Sequence, residues 1–436
     1  MKNLNKNKLV EEILACLWPL ESPSGDQTIQ SSAMFFMRDD WMLYFGADEA
    51  KAFQSSLGRV LAYDSLTDKY SSKATRARFE SLLVGLITTN EDRPSNKYIS
   101  QEVDSWLNTM LTAGSHEFEY FGLIENLLVD SRRSIGKVTL EPVSDATIGR
   151  ITDLIFGQID ENPSYTDEER TNLKNSLYEG SLSKLEEQES ASLISTTITV
   201  LDVDKGLEVA NDRFSEVLDL LRFLGAFVFR PTPTRPIGLQ GEVSVEGRFN
   251  LAISPSQGFK IFHRALSVPF KFNGERSTQF EQLGLSNFSQ ILRRDPSQRS
   301  ELDSRLVNAI HWCAEAIREV SDAERFLKFC ISLESLLCAR GEQPLGGTIG
   351  ERAAFLLESG AESRQSLFQR FKKIYGVRSS LAHEGLPQRE DDVVELLPHL
   401  FAISIRSIVE IGNLVSIRSW GTYSELREHF EELKFG

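Results

Sequence analysis

A chain of 436 residues is longer than one hydrophobic core usually serves, so two or three domains are expected. With 41% apolar and 25% charged residues it should fold throughout, and a formal charge of −15 excludes a surface coated all over by nucleic acid. Any phosphate-binding site must therefore be local.

The four cysteines, Cys16, Cys313, Cys330 and Cys338, lack the short paired spacings of a zinc site and read as reduced core residues. Lysines precede an apolar stretch at the N-terminus, but Glu11 and Glu12 interrupt it and no small-residue cleavage pattern follows. A cytoplasmic location is expected. The most apolar run, Val217 to Phe229, is broken by Asp219 and Arg222 and falls short of the ~20 apolar residues of a membrane span, so no membrane partner is expected.

In chain order, residues 8–110 combine helical patterns with a strand pair, Ala33 to Met37 and Trp41 to Phe45, turning at Arg38-Asp39-Asp40. Glu117 to Asp130 and Ile135 to Val143 predict two further strands joined by Ser131 to Ser134. After a polar stretch from Glu179 to Ser192, Thr197 to Val200 predicts a strand. It feeds a helix with Leu207, Ala210, Phe214, Val217, Leu218 and Leu221 on its apolar face. Pro231 to Pro236 reads as an extended loop, since each proline lacks a backbone donor. Alternation resumes in Val243-Ser244-Val245 and Phe249 to Ile253, and this mixed region ends near Asp295-Pro296-Ser297.

Beyond that point the pattern is helical. Leu302, Leu306, Ile310, Cys313 and Ile317 form one stripe, and Ala323 to Cys338 is apolar on most sides, as a central buried helix would be. Asp391 to Val415 is a further helix, interrupted or begun at Pro398. This organisation predicts an α+β N-terminal domain over 1–112, a mixed α/β middle domain over 113–295 suited to sensing or regulation, and an all-α bundle over 296–436. No P-loop, His-Glu-x-x-His or Gly-x-Ser-x-Gly motif occurs, so neither metal nor cofactor is expected. His116, His263, His311, His399 and His429 share no ligand spacing and read as ordinary core or surface residues.

The chemistry concentrates between Arg364 and Glu384, a helical stretch whose stripe Leu367, Phe371, Ile374 and Leu381 also carries Arg378. A guanidinium on an apolar seam needs an anion, and Glu334, a lone acid in the apolar run before it, is the internal candidate. At ~100° per residue, Lys372, Ser379 and His383 lie within ~40° of one another, with Tyr375 and Ala382 between that face and Arg378. Arg378 and His383 are ~7.5 Å apart along the axis, a span that a phosphodiester and its ribose could bridge. Gly385 and Pro387 predict the helix stop, putting His383 in a last turn whose partial negative charge favours imidazolium and acid/base work. Arg364, Arg370, Lys372 and Lys373 supply a local basic patch.

These residues resemble the HEPN superfamily, whose signature is an Arg, a polar residue and a His near a helix end, here Arg378-Ser379-Ser380-Leu381-Ala382-His383. Phe329 to Leu337, followed by Ile374 to Ser379, is most similar to the ApeA-like HEPN branch of bacterial anti-phage defence proteins. The likeness covers about residues 300–415, with a fainter one through Thr196 to Leu224. It implies a helix bundle that dimerises and a metal-independent endoribonuclease, acting as an abortive-infection effector under a phage-derived trigger. Arg378 would contact the scissile phosphate, His383 would move protons during 2′-hydroxyl attack, and Ser379 would position groups. Lys372, Lys373, Arg370 and Tyr375 would bind RNA. Gly385 stands where some HEPN proteins carry a regulatory Tyr, which argues against control by that route.

The bare Arg-to-His spacing arises by chance about 0.4 times in such a chain, so the inference rests on the surrounding helix. The competing reading is a catalytically silent helical dimerisation or ligand-binding module, with Arg378 bonded internally to Glu334.

Overall fold

Helix periodicity and strand alternation both survive into the computed structural model of the chain. The structure describes residues 4–17, 34–38, 41–45, 47–89, 94–183, 191–229, 237–239, 250–254, 258–262, 269–339, 341–342, 345–384 and 390–435. Two units separate, one of residues 1–120 and 197–211 and the other of residues 121–196 and 212–436.

In the first unit, Leu9, Val10, Ile13 and Leu14 fall on one face and drive α1 (Lys6–Leu17). That face packs with Phe53 and Val60 of α2 (Ala47–Leu61), Leu66 of α3 (Asp64–Thr67) and Phe79 of α4 (Ser72–Thr89). Ile99 and Val103 of α5 (Asn96–Thr112) complete the buried cluster. The Ser95 side chain caps α5 by accepting from the Tyr98 amide. The expected hairpin is present: β1 (Met34–Arg38) runs antiparallel to β2 (Trp41–Phe45), with Arg38 opposite Trp41. Its turn residues 39 and 40 lie outside the described residues.

The sheet that follows draws most, not all, of its residues from the second unit. The pattern from Glu117 to Asp130 predicts a single strand, but Asn126 adopts φ 63°, a left-handed conformation Asn tolerates, and divides it into β3 (His116–Glu125) and β4 (Leu127–Val129). The second predicted strand is instead a tight hairpin, β5 (Arg133–Ile135) with β6 (Val138–Pro142), turning at Gly136. Gly136 has φ 60°, and a Cβ there would fall 2.7 Å from that of Leu292, so only glycine fits. With β7 (Ser192–Val200) and β8 (Gly238–Leu239) the order is β5-β6-β7-β3-β8. The buried Ser192 hydroxyl donates to the Leu127 carbonyl and accepts from the Val129 amide, tying β4 to the start of β7. Between β6 and β7 lie α6 (Asp145–Glu161) and α7 (Asp167–Leu177), the latter opened by a capping box of Thr166 and Glu169.

Helix α8 (Val203–Phe229) follows β7 as its periodicity predicts, burying Ala210, Phe214, Val217, Leu218 and Leu221, although Leu207 is exposed rather than part of the apolar face. The charges inside its apolar run are themselves buried: Arg222 Nη1 donates to Asp219 Oδ1 at 2.6 Å and Nε to the Ile237 carbonyl. The Asn250 strand is β9 (Asn250–Ser254), antiparallel to β10 (Gly258–Phe262), while β11 (Phe270–Phe272) runs parallel to β4. Val243 to Val245 and the Pro231 to Pro236 loop fall outside the described residues.

From residue 274 onward the described chain is helical: α9 (Gly274–Gln282), α10 (Leu285–Leu292) and then α11 (Glu301–Arg318), with a capping box of Ser300 and Asp303. The molecule is thus mixed α and β, with a C-terminal helical region, as composition and periodicity predict. Helix α12 (Asp322–Leu337) packs against α11, α13 (Leu345–Leu357), α14 (Ala361–Glu384) and α15 (Glu390–Arg418), which makes it the central element. It buries Phe326, Phe329, Cys330, Leu333, Leu336 and Leu337, while Leu327 and Ile331 are only partly covered. Helix α16 (Tyr423–Phe435) closes this region. Tyr423 donates to the Leu337 carbonyl, while Arg352 on α13 reaches both Tyr423 and Glu342.

Helix α15 runs through Pro398 without ending. The carbonyl that loses its partner there belongs to Val394, which is exposed and can turn to water. The helix is long and apolar enough by composition to cross a membrane, but half of that stretch is buried inside the unit, as in a core helix. All four cysteines are buried and free.

Candidate active site

The helix carrying the motif is set by its apolar stripe. Leu367, Phe371, Ile374 and Leu381 are buried, and α13 meets this face through two glycines. A Cβ on Gly346 would stand 2.6 Å from the Tyr375 ring, and one on Gly350 would stand 3.1 Å from the ring of Phe371. Glycine at 346 therefore allows the backbone of α13 to lie against the Tyr375 ring. Phe371 and Tyr375 stack at 6.3 Å between ring centroids.

This packing delivers Arg378 to Glu334 on α12. Arg378 Nε donates to Glu334 Oε1 at 2.9 Å and Nη2 to Oε2 at 3.1 Å, a side-on fork, and the Tyr375 hydroxyl donates to the same Oε1 at 3.1 Å. Glu334 is thus the partner that the apolar seam demands. The pair is not sealed, with side chains 24% and 18% exposed. Burial lowers the guanidinium pKa, but the hydrogen bond and charge of Glu334 outweigh it, so Arg378 lies above its ordinary value. Burial and then the Glu334 charge push the Tyr375 phenol upward. Nη1 of Arg378 finds no partner among the described residues, leaving the outer edge of the fork able to donate.

On the solvent side, Lys372, Ser379, Ala382 and His383 are exposed, and His383 stands in the last turn of α14. Its ring has no hydrogen-bond or ion partner among the described residues. The expected stop at Gly385 and Pro387 lies outside the described residues. Lys372 Nζ sits 4.7 Å from the centroid of the Phe368 ring. By helical rotation Arg370 and Lys373 point to the other side of α14, and Arg370 Nη1 reaches His399 Nδ1 on α15 at 3.4 Å. Burial and then that guanidinium lower the His399 pKa. Arg364 Nε donates to the Glu358 carbonyl. The basic residues therefore divide between two faces: Lys372 shares the Ser379 and His383 side, whereas Arg370 and Lys373 do not.

An open groove of about 820 Å³ reaches Glu334 from α11, lined also by Glu301, Arg305, Asn308, Ser335 and Leu345. It is not basic, because Arg305 is engaged with Glu301 and with the Ser335 and Cys338 carbonyls. Among the described residues no three His, Cys, Asp or Glu side chains gather as a metal site.

Two features escape sequence reasoning. Gly346 and Gly350 look like ordinary helix-weakening glycines until α14 is laid against them. His311, read as an unremarkable residue, places Nδ1 2.8 Å from Asp219 Oδ2. The available signal was Asp219 itself, an acid within an apolar run as Glu334 is. Compared with known protein families, characterised proteins and solved structures, the chain matches none.

Proposed function

We propose that the C-terminal helical region is a HEPN-type, metal-independent endoribonuclease, and that the chain acts as a growth-arresting anti-phage effector. The observation that carries this reading is the side-on hold of Glu334 on Arg378, with Ser379 and His383 exposed beside it in the last turns of the same helix. A fork held through Nε and Nη2 is fixed in direction yet keeps Nη1 for a phosphate oxygen.

In this mechanism the ribose 2′-oxygen attacks the adjacent phosphorus as its proton leaves, and the P–O5′ bond breaks. The products are a 2′,3′-cyclic phosphate and a 5′-hydroxyl. Arg378 stabilises the charge that builds on the phosphoryl oxygens, and His383 moves a proton. Ser379 positions the ribose-phosphate by hydrogen bonding, and Lys372 attracts the backbone. RNA and a second copy of the chain, bringing its own motif to a shared cleft, are the partners this mechanism calls for. A phage-derived trigger acting on the preceding residues would control it.

The silent-module reading keeps one observation in its favour, that Glu334 already occupies two of the Arg378 donors. Purified protein and its Arg378→Ala and His383→Ala variants, each checked for folding, separate the two. The nuclease reading expects RNA cleavage, and toxicity on expression, to be lost in both variants. Equal cleavage by all three proteins, or none by any, supports the silent module.

A further inference from the structure

Away from the motif, α8, α10 and α11 enclose a cavity of about 410 Å³, within the size range of small-ligand sites. Leu220, Phe288, Leu292, Val307 and Ile310 supply its apolar lining. The lining also holds three acids, Asp212, Glu216 and Asp219, of which the last two are engaged by basic side chains. Both oxygens of Glu216 accept from Arg299, Nη1 and Nη2 each at 2.6 Å. Both oxygens of Asp219, a side chain only 4% exposed, are taken by Arg222 and by His311 Nδ1.

Donors in that lining also remain unspent. The Arg299 side chain is 5% exposed, and its Nε finds no acceptor among the described residues. Asp219 fixes the tautomer of His311 and favours its protonated form, in which the second ring nitrogen also donates. That nitrogen and the Asn308 side chain have no partner among the described residues, and both residues line the cavity. A cavity lined by both free donors and hydrocarbon suits an amphipathic ligand.

We infer that this cavity binds a small amphipathic anion, its carboxylate accepting from His311 and Asn308 and its apolar body lying against Phe288 and Val307. The site is separate from the Arg378 motif, so its ligand need not be a substrate.

Calorimetric titration of the full chain with 3-phenylpropionate, alongside the isosteric neutral 3-phenylpropanamide, tests the assignment. The acid is expected to bind saturably and about tenfold more tightly than the amide. Replacing His311 by Gln should remove most of that preference, and Val307→Trp, which fills the cavity, should abolish binding. Circular dichroism and a melting curve establish that both variants fold, and the apolar Val307→Trp change leaves every charge pair in place if His311→Gln does not. Equal affinity for acid and amide, no saturable binding of the acid, or acid binding unchanged in folded Val307→Trp overturns the proposal.

Discussion

Glu334 and Asp219 are both acids set in apolar helices, both hold an arginine, and yet the two neighbourhoods differ in what they leave free. Asp219 pairs with Arg222 one turn along its own helix and with His311 from another, and at 3–4% exposure the Asp219–Arg222 pair itself is closed to solvent, although the His311 side chain is not. Glu334 pairs with an arginine 44 residues away on a different helix, and the pair stays open to solvent on one edge. A closed ion network holds structure together. An open one leaves charge with work still to do, and this is why the motif helix is read as a reactive site and α8 as a scaffold that also walls a cavity.

The largest expected effect that sharpens this contrast is on rate. His383→Ala, removing an exposed side chain, should lower RNA cleavage by about 10²–10⁴ while the melting temperature stays put. Arg378→Ala should lose at least as much rate, and also a little stability, on the order of 1 kcal/mol, because Glu334 is left without its partner at a half-open site.

Asp219→Ala should behave the opposite way. It removes the buried carboxylate that accepts from Arg222 and His311, a loss of about 3–5 kcal/mol visible in urea unfolding, with no direct effect on cleavage by the fraction that remains folded. A variant that destabilises little would break the comparison, since it would mean the α8 network is as open as the other.

Gly346→Ala tests how the site is held. The added methyl meets the Tyr375 ring, so α13 and α14 must separate, at about 1–3 kcal/mol, and Arg378 should shift from Glu334 with a loss of activity. Tyr375→Phe removes one hydrogen bond to Glu334 and should cost only about 1 kcal/mol.

The smallest effects are pH effects. His311 has its pKa raised by the hydrogen bond to Asp219, so its contribution to stability is full in acid and is lost as pH rises through the folded pKa. Glu342, lowered to about 2 chiefly by its hydrogen bond from Arg352, contributes above its ordinary value of 4.5 and loses that contribution as pH falls toward 2. Urea midpoints measured across pH should therefore flatten on the alkaline side in His311→Gln and on the acid side in Glu342→Gln.

The parts of this picture that were legible in the sequence are those set by local pattern or by an unavoidable cost. Trp41 to Phe45, a short apolar and aromatic run, pairs as a strand, and the stripe from Leu367 to Leu381 makes a helix with His383 at its end. Arg378 on that stripe had to meet an anion, which pointed to Glu334. The parts that were not legible depend on single backbone angles or on distant partners. Asn126 breaks a run that alternates like one strand, because a φ of 63° leaves no mark on hydropathy. Leu207 fits the apolar stripe of α8 but is exposed, since a stripe does not say where its neighbours end. His311 finds Asp219 across 92 residues, and Gly346 gains its meaning only from the ring that lies on it. The basic residues of α14 read as one patch along the chain, whereas rotation about the helix sends Arg370 toward His399 and leaves Lys372 beside His383.

The central claim is that Arg378 and His383 act together on a ribose-phosphate, and the chemistry of the cut ends tests it most directly. RNA incubated with the full chain in the presence of a chelator should yield fragments ending in 2′,3′-cyclic phosphate and beginning with 5′-hydroxyl, and folded His383→Ala should yield none. Fragments with 5′-phosphate ends, or the same fragments from His383→Ala, would contradict the account.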